Sequence, residues 1–379
     1  MNDYSEKGLL PAGLADMLPP AAAREARINR TLMDVFAANG YQQVKPPLIE
    51  FEEHLLEGAG AALASKMFRV MDPVSHRMMG IRTDMTLQIA RVATTRMKRD
   101  PRPLRLSYSG QVLRVHGTQL RPERQFAQAG VELIGSKATA ADVELILLAK
   151  EALDALGVTR YSIDLTLPTL VPSLAEGLGI DPVVAANARE ALDHKDAASL
   201  EGYDAPLADL LIGLLKAAGP AESALAALDR LALPAAAAAQ VEALKDVVAE
   251  LKAAAPDLQL TIDPGEYRGF EYQTGLSFTV FARGVRGELG RGGRYQLVDG
   301  EPASGFTLFL DSLMRAVPRQ KSEDRLYVPF GFDRKAALKL RQEGWKTVAG
   351  LAAETDIAAE ARRLQCGQYL TPEGVTKLS

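Results

Sequence analysis

The sequence predicts an α+β fold: a core of strands and helices, a helical segment inserted into it, and a small α/β tail. Three observations carry this reading. Strand-like runs bounded by turn residues, with amphipathic helical runs between them, fill residues 1–317. Within that span, residues 170–255 are Ala- and Leu-rich, poor in aromatics and almost wholly helical in pattern. Beyond the charged stretch 318–324, residues 325–379 read as a short β-α-β-α-β unit.

Each element follows from local chemistry. Pro11, Gly13, Pro19 and Pro20 make the first 20 residues an extended lead-in. Ala26, Ile28, Leu32, Val35 and Phe36 form one helical stripe over 21–38, stopped by Asn39-Gly40. Residues 41–49 alternate and then meet Pro46-Pro47, as an edge strand does. A hairpin is expected over 68–82 around Asp72-Pro73-Val74-Ser75. A helix follows over 85–98, with Thr83 or Asp84 as cap. Residues 104–113 read as a strand broken at Gly110, and 125–134 as a strand closed by Gly135, with a polar loop at 115–124 between them. Residues 139–156 are an amphipathic helix and 161–166 a strand. Strand character returns at 258–262, 272–281 and around Tyr295, and residues 306–317 are expected to form a last apolar helix.

Composition narrows the function. The 379 residues carry 44 Lys+Arg against 48 Asp+Glu, a net charge of −4, so the chain does not coat nucleic acid by overall charge. One cysteine, Cys366, excludes a disulfide framework and a cysteine-built zinc site. His54, His76, His116 and His194 are scattered, so no metal and no cofactor are expected. The polar N-terminus lacks a signal-type apolar core, no run is long and apolar enough to span a bilayer, and a reducing cytoplasm fits.

Familiar catalytic signatures are missing, including the G-x-x-x-x-G-K-[ST] phosphate loop and the G-x-S-x-G elbow. The glycine-rich run 284–293 precedes a strand rather than a helix, and reads as a hairpin with tight turns. Charge is locally uneven: residues 82–132 hold ten Arg or Lys and four Asp or Glu. A solvated basic face would account for that. Yet Gln128, Gly130 and Glu132 share one face of a strand, with Arg114 on the segment before it. Two polar side chains flanking a glycine could line a pocket, with Gly130 leaving room for a ligand, and a buried charge there needs a partner.

Ordered motifs then point to a family. Leu10-Pro-Ala-Gly-Leu-Ala-Asp-Met-Leu-Pro19 opens the chain, and Gly40-Tyr-Gln-Gln-Val-Lys-Pro-Pro47 resembles motif 1 of the class II synthetases. Gly80-Ile-Arg-Thr-Asp-Met-Thr86 is similar to an amine-binding segment. Leu113-Arg114 through Gln125-Phe-Ala-Gln-Ala-Gly-Val-Glu132 is similar to motif 2. Tyr267-Arg-Gly-Phe-Glu-Tyr272 and Gly292-Gly-Arg-Tyr295 resemble two histidine-specific motifs, and Gly305-Phe-Thr-Leu-Phe-Leu-Asp-Ser-Leu313 takes the place of motif 3. From about residue 9 to 317 the chain resembles the histidyl-tRNA synthetase family. Within it the chain looks most like the non-aminoacylating branch, the regulatory subunits of ATP phosphoribosyltransferase.

That resemblance implies a class II synthetase-like antiparallel sheet flanked by helices over 1–317, and a shortened anticodon-binding domain over 325–379. It implies that Asp84, Thr86 and Gln128 hold the α-ammonium of free histidine. One carboxylate and two neutral acceptors suit a donor of three bonds. Arg268 and Arg114 would face the carboxylate, Glu132 would accept from the imidazole N–H, and Tyr272 and Tyr295 would wall the pocket. Departures separate the branches. Ser312 stands where synthetases carry a phosphate-binding arginine, Phe309 where they carry glycine, His116 where motif 2 has glutamate, and Pro122 where its loop arginine falls. A serine hydroxyl cannot replace a guanidinium against phosphate charge. Gln273 replaces a usual tyrosine. The tail holds ten basic and eight acidic residues over 321–379, too balanced to grip tRNA. The resemblance therefore implies a non-catalytic subunit, with no tRNA partner. It would bind the short-form ATP phosphoribosyltransferase catalytic subunit, as a dimer within a hetero-octamer, and transmit feedback inhibition by histidine in the first step of histidine biosynthesis. The alternative is a working histidyl-tRNA synthetase.

Overall fold

The computed structural model describes residues 8–57, 63–119, 121–205, 207–266, 273–319 and 325–378. The chain divides into two compact units, Met1–Pro318 and Arg319–Ser379. In the first, helix α1 (Ala21–Ala38) buries Ile28, Leu32 and Phe36, one residue per turn, and ends at Asn39. The chain then gives β1 (Gln42–Gln43), β2 (Ile49–Phe51), α2 (Glu52–Leu56), β3 (Arg69–Met71), β4 (Met78–Ile81), α3 (Thr86–Thr95), β5 (Leu104–Leu113), β6 (Gln125–Ile134), α4 (Thr139–Ala155) and β7 (Tyr161–Thr166). Six helices follow: α5 (Leu170–Gly177), α6 (Pro182–Asp193), α7 (Ala197–Glu201), α8 (Leu207–Lys216), α9 (Ala221–Leu228) and α10 (Ala235–Ala254). Among the described residues they are interrupted only by the two-residue β8 (Gly219–Pro220). Then come β9 (Gln259–Asp263), β10 (Gln273–Ala282), β11 (Gly290–Gln296), β12 (Pro302–Phe309) and α11 (Leu310–Ala316).

Nine strands make one sheet in the order β1-β5-β6-β12-β11-β10-β7-β9-β8. Within this sheet β1–β5 and β7–β9 pair in parallel and the other described pairings are antiparallel. The short β1 lies at the sheet's edge, and Pro46 and Pro47, just beyond its end, lack the amide donors that would let the pairing continue. β6 shows how one sheet serves two purposes. Ala127, Ala129, Val131 and Leu133 turn into a core shared with α1, α4 and the inserted helices. Phe126 and Ile134 turn to the other side, into a smaller core with Met85, Ile89 and Ala93 around α3. Gln128, Gly130 and Glu132 lie between them on that second face. A separate sheet, β2-β4-β3, carries the expected hairpin. The second unit is a four-stranded sheet, β14-β13-β15-β16, from β13 (Arg325–Val328), β14 (Lys346–Ala349), β15 (Gln368–Thr371) and β16 (Gly374–Lys377), with α12 (Arg334–Gln342) and α13 (Ile357–Arg363).

Four local expectations need correction. β5 runs unbroken through Gly110, because the missing side chain makes room for the Arg82 guanidinium rather than ending the strand. Residues 306–309 belong to β12, not to a helix. Phe306 and Leu308 alternate into the main core between β6 and β11, and the helix begins at Leu310. The helix expected over 85–98 spans only Thr86–Thr95 and its cap position is Met85, although Asp84 Oδ1 does accept from the Thr86 amide at 2.9 Å. The tail gains a fourth strand, β16, folded back on β15.

Candidate functional site

The site face of β6 is built around a buried carboxyl. Glu132 is 1% exposed. Tyr295 on β11 donates its hydroxyl to Glu132 Oε2 at 2.8 Å, and Tyr108 on β5 reaches Oε1 at 3.3 Å. Tyr108 also bonds Thr307 Oγ1 at 2.7 Å and lies 3.4 Å from Thr86 Oγ1. Burial pushes the Glu132 carboxyl up to about 8; hydrogen bonds from Tyr295, Thr86 and Tyr108 oppose the rise, and Asp84 adds to it. Burial likewise holds the Tyr108 hydroxyl far above its ordinary range. Gly305 lies opposite Glu132 across the β12 ladder, and any Cβ there would overlap the carboxylate. Glycine is therefore needed for close approach, not for turn geometry.

A second acidic group enters from the start of α3. Gln128 is fully buried and clamps that turn: its Oε1 accepts from the Met85 amide at 3.2 Å and its Nε2 donates to Asp84 Oδ2 at 2.9 Å. The Thr86 amide holds the other Asp84 oxygen at 2.9 Å. Gln128 therefore orients Asp84, and each Asp84 oxygen keeps a further lone pair. Thr86 and Tyr295 also line a cavity of about 710 Å³ that extends along the outer side of α3.

Arg114 sits one residue beyond β5, with its guanidinium 5.0 Å from the centre of the Phe126 ring and a long 3.5 Å contact to the Thr83 carbonyl. Burial lowers its pKa; Arg291 and Arg121 lower it further and Asp84 opposes them. Asp84, Thr86, Gln128, Glu132 and Tyr295 thus form a linked set, with Arg114 at its edge. Arg268 and Tyr272 lie outside the described residues. Gln273 is the register partner of Tyr295, beside the Glu132 hydroxyl donor.

The structure changes one expectation about space. Gly130 does not leave a gap for a ligand: a Cβ there would meet the Tyr108 hydroxyl and the Phe306 carbonyl. Tyr108 and Thr307 are the residues sequence reasoning missed. The available signal was the pairing of β5 with β6, which sets an aromatic residue opposite a glycine. Arg82 was missed in the same way. It is 6% exposed, donates to the carbonyls of Gln111 and Pro46 at 2.7 and 3.1 Å, and ties the proline turn to the base of α3.

A large antiparallel sheet carrying a linked acidic and tyrosine-lined site on one face, with a short helix delivering Asp84, defines a class II synthetase-type fold. Two solved structures share it. One is described as an ATP phosphoribosyltransferase regulatory subunit/histidyl-tRNA synthetase from Bacillus halodurans C. It is 24% identical, with a TM-score of 0.80 over 93% of this chain and 96% of that one. The other is histidyl-tRNA synthetase from Nostoc sp. PCC 7120, 18% identical, with a TM-score of 0.81 over 96% of this chain and 91% of that one. The family model for histidyl-tRNA synthetase matches residues 13–313. Two relatives are named ATP phosphoribosyltransferase regulatory subunit. That of Rhodospirillum centenum is 56% identical over 95% of this chain and 93% of its own length, and that of Paramagnetospirillum magneticum is 55% identical over the whole of both. The chain belongs to the histidyl-tRNA synthetase-like family of ATP phosphoribosyltransferase regulatory subunits.

Proposed function

We propose that the chain is a non-catalytic, histidine-sensing subunit that works with the short-form ATP phosphoribosyltransferase catalytic chain. One observation carries the sensing role: Asp84 and Glu132 stand at two ends of a single hydrogen-bonded set, joined through Thr86 and Tyr108, with Tyr295 on the far side. Such a set offers an acceptor for an ammonium at one end and for a ring N–H at the other. In this reading Asp84 and Thr86 take the α-ammonium, with Gln128 orienting Asp84. Arg114 and Arg268 take the carboxylate, Glu132 takes the imidazole, and Tyr272 and Tyr295 close the walls. No histidine-holding residue needs to perform chemistry.

Feedback then requires histidine to favour one state of the assembly over another, a coupling of typically ~1–3 kcal/mol. We assign the assembly to the cytoplasm, with this chain as a dimer inside a hetero-octamer and without tRNA as a partner. No helix among the described residues is long and apolar enough to cross a membrane. The deciding experiment is reconstitution: phosphoribosyl transfer by the catalytic chain, with and without this protein, titrated with histidine. Activation by this chain together with histidine inhibition is the expected result. Histidine-dependent ATP–pyrophosphate exchange by the purified chain would overturn the reading in favour of a synthetase.

A further inference from the structure

Behind the site, on the other face of the sheet, one side chain spans the strands that Tyr295 and Glu132 span in front. Arg294 precedes Tyr295 on β11, and successive residues of a strand face opposite ways. Its guanidinium reaches past β12 to the segment that follows β6. Nε donates to Asp142 Oδ1 and Oδ2 at 2.9 and 2.8 Å, and Nη2 donates to Oδ2 at 2.6 Å. Nη1 and Nη2 also donate to the carbonyls of Lys137 and Ala138, at 2.8 and 2.9 Å, in the connection from β6 to α4. The ion pair is largely buried, its side chains 21% and 7% exposed. Burial raises the Asp142 carboxyl, and Arg294 draws it back. On the other side of β11 the ladder is broken at this level. β10 takes four steps from Gln273 to Ser277 where β11 takes two from Tyr295 to Gly293, and residues 274–276 take no register partner on β11. Gly275 lies in that bulge, and a Cβ on it would come within 2.9 Å of Arg294 Cδ. The missing side chain lets Arg294 cross the bulge.

We infer that Arg294 is a positioning residue for histidine sensing, which clamps β11 to the connection between β6 and α4 and so fixes the span across which Tyr295 holds Glu132. The inference rests on the proposed sensing role and deepens it. Both bridges cross β12, Tyr295 to Glu132 on the site face and Arg294 to Asp142 behind it. The strands they join are two spacings of roughly 4.8 Å apart. A small slip of β11 therefore lengthens the 2.8 Å bond from Tyr295 to Glu132, and hydrogen bonds weaken steeply with distance and angle. Seven register pairs hold β11 to β12, but beside Tyr295 the bulge leaves β10 a weak guide. Arg294 supplies the missing hold. The planar fork suits this work, because it meets the carboxylate and two separate carbonyls at once, which a compact ammonium does not.

The test titrates histidine into the full chain by calorimetry, with circular dichroism and a urea midpoint certifying each variant as folded. Arg294→Lys weakens the clamp at its fork, and Gly275→Ala pushes on the same side chain from β10. Each should weaken histidine binding about tenfold. Introduced into Tyr295→Phe, the same changes should cost less than about twofold, because the hydroxyl they position is gone. Equal losses in the two backgrounds would overturn the inference, since a general loosening of the sheet does not depend on that hydroxyl. Unchanged affinity in either folded variant also overturns it. A second measurement needs no histidine. Asp142→Asn removes the clamp's own titratable carboxyl and should move the Glu132 transition to higher pH, as weakening the Tyr295 hydrogen bond must. An unmoved transition sinks the inference. Should wild type give no histidine response while that transition moves, the sensing role fails and the clamp stands.

Discussion

Replacing Glu132 with glutamine tests the buried carboxyl at the centre of the site. The substitution mimics the protonated side chain and keeps an acceptor for Tyr108 or Tyr295, whose hydroxyls can turn to suit it. In the wild-type fold the carboxyl sits at about 8 against an ordinary value of 4.5. Between those values the folded chain holds a proton that the unfolded chain has released, so wild-type stability falls as pH rises through this window. From pH 7 to pH 9 the loss from this group is about 1.4 kcal/mol, the tenfold change in folded-state protonation on crossing a pKa of 8. Glu132→Gln lacks that term. Urea unfolding of both proteins at both pH values should give curves that diverge by about that amount, the variant being relatively more stable at pH 9. Parallel losses in the two proteins would mean that Glu132 is already ionised at pH 7, and the burial argument would fall. The same titration bears on histidine. A ligand whose ring N–H needs the carboxylate must expel the proton at neutral pH, so binding heats at pH 7 should vary with the ionisation enthalpy of the buffer.

Three further perturbations separate packing from binding. Gly305→Ala should destabilise the first unit by about 1–3 kcal/mol in urea unfolding, because the new methyl and the Glu132 carboxylate cannot share the space between β12 and β6. A neutral result would show that the two strands separate easily. Tyr295→Phe removes the closest donor to Glu132 and should cost about 1–2 kcal/mol of stability, while moving the Glu132 transition to higher pH. An unmoved transition would refute the role of that hydroxyl. Asp84→Asn leaves an acceptor for the Thr86 amide but removes the charge. It should weaken histidine binding about tenfold or more, and, because it sets a second donor against the buried Gln128 Nε2, lower stability by about 1–3 kcal/mol in urea unfolding; the same loss of stability with histidine binding unchanged would point to a purely structural role.

Much of this protein could be read without coordinates. Periodicity located α1 and α4, because a helix that buries one face must repeat its apolar residues at 3.6, and Gly135 marked the end of the ten-residue strand β6. The edge position of β1 followed from the prolines just beyond it, and the shared face of Gln128 and Glu132 from their even spacing. The errors arose where a residue answers to a neighbour far along the chain. Gly110 looked like a strand break, yet it exists to admit Arg82. Gly130 looked like ligand space, yet Tyr108 fills it. Residues 306–309 looked helical because both neighbouring strands, one of them more than 170 residues earlier, are needed to make them a strand.

By itself the sequence determined most of the elements, the family and the chemical inventory of the candidate site: two carboxyls, tyrosines, a glutamine and a surplus of arginines. Tertiary structure alone decided how these groups act on one another. Ladder register set Glu132 against Gly305 and two tyrosines, and burial then turned an ordinary carboxyl into one that titrates near neutrality. The same packing placed Arg121 beside Ser312, where the linear motif shows only a missing arginine. Proton affinity and occupied volume depend on distances in space, which no local spacing along the chain encodes.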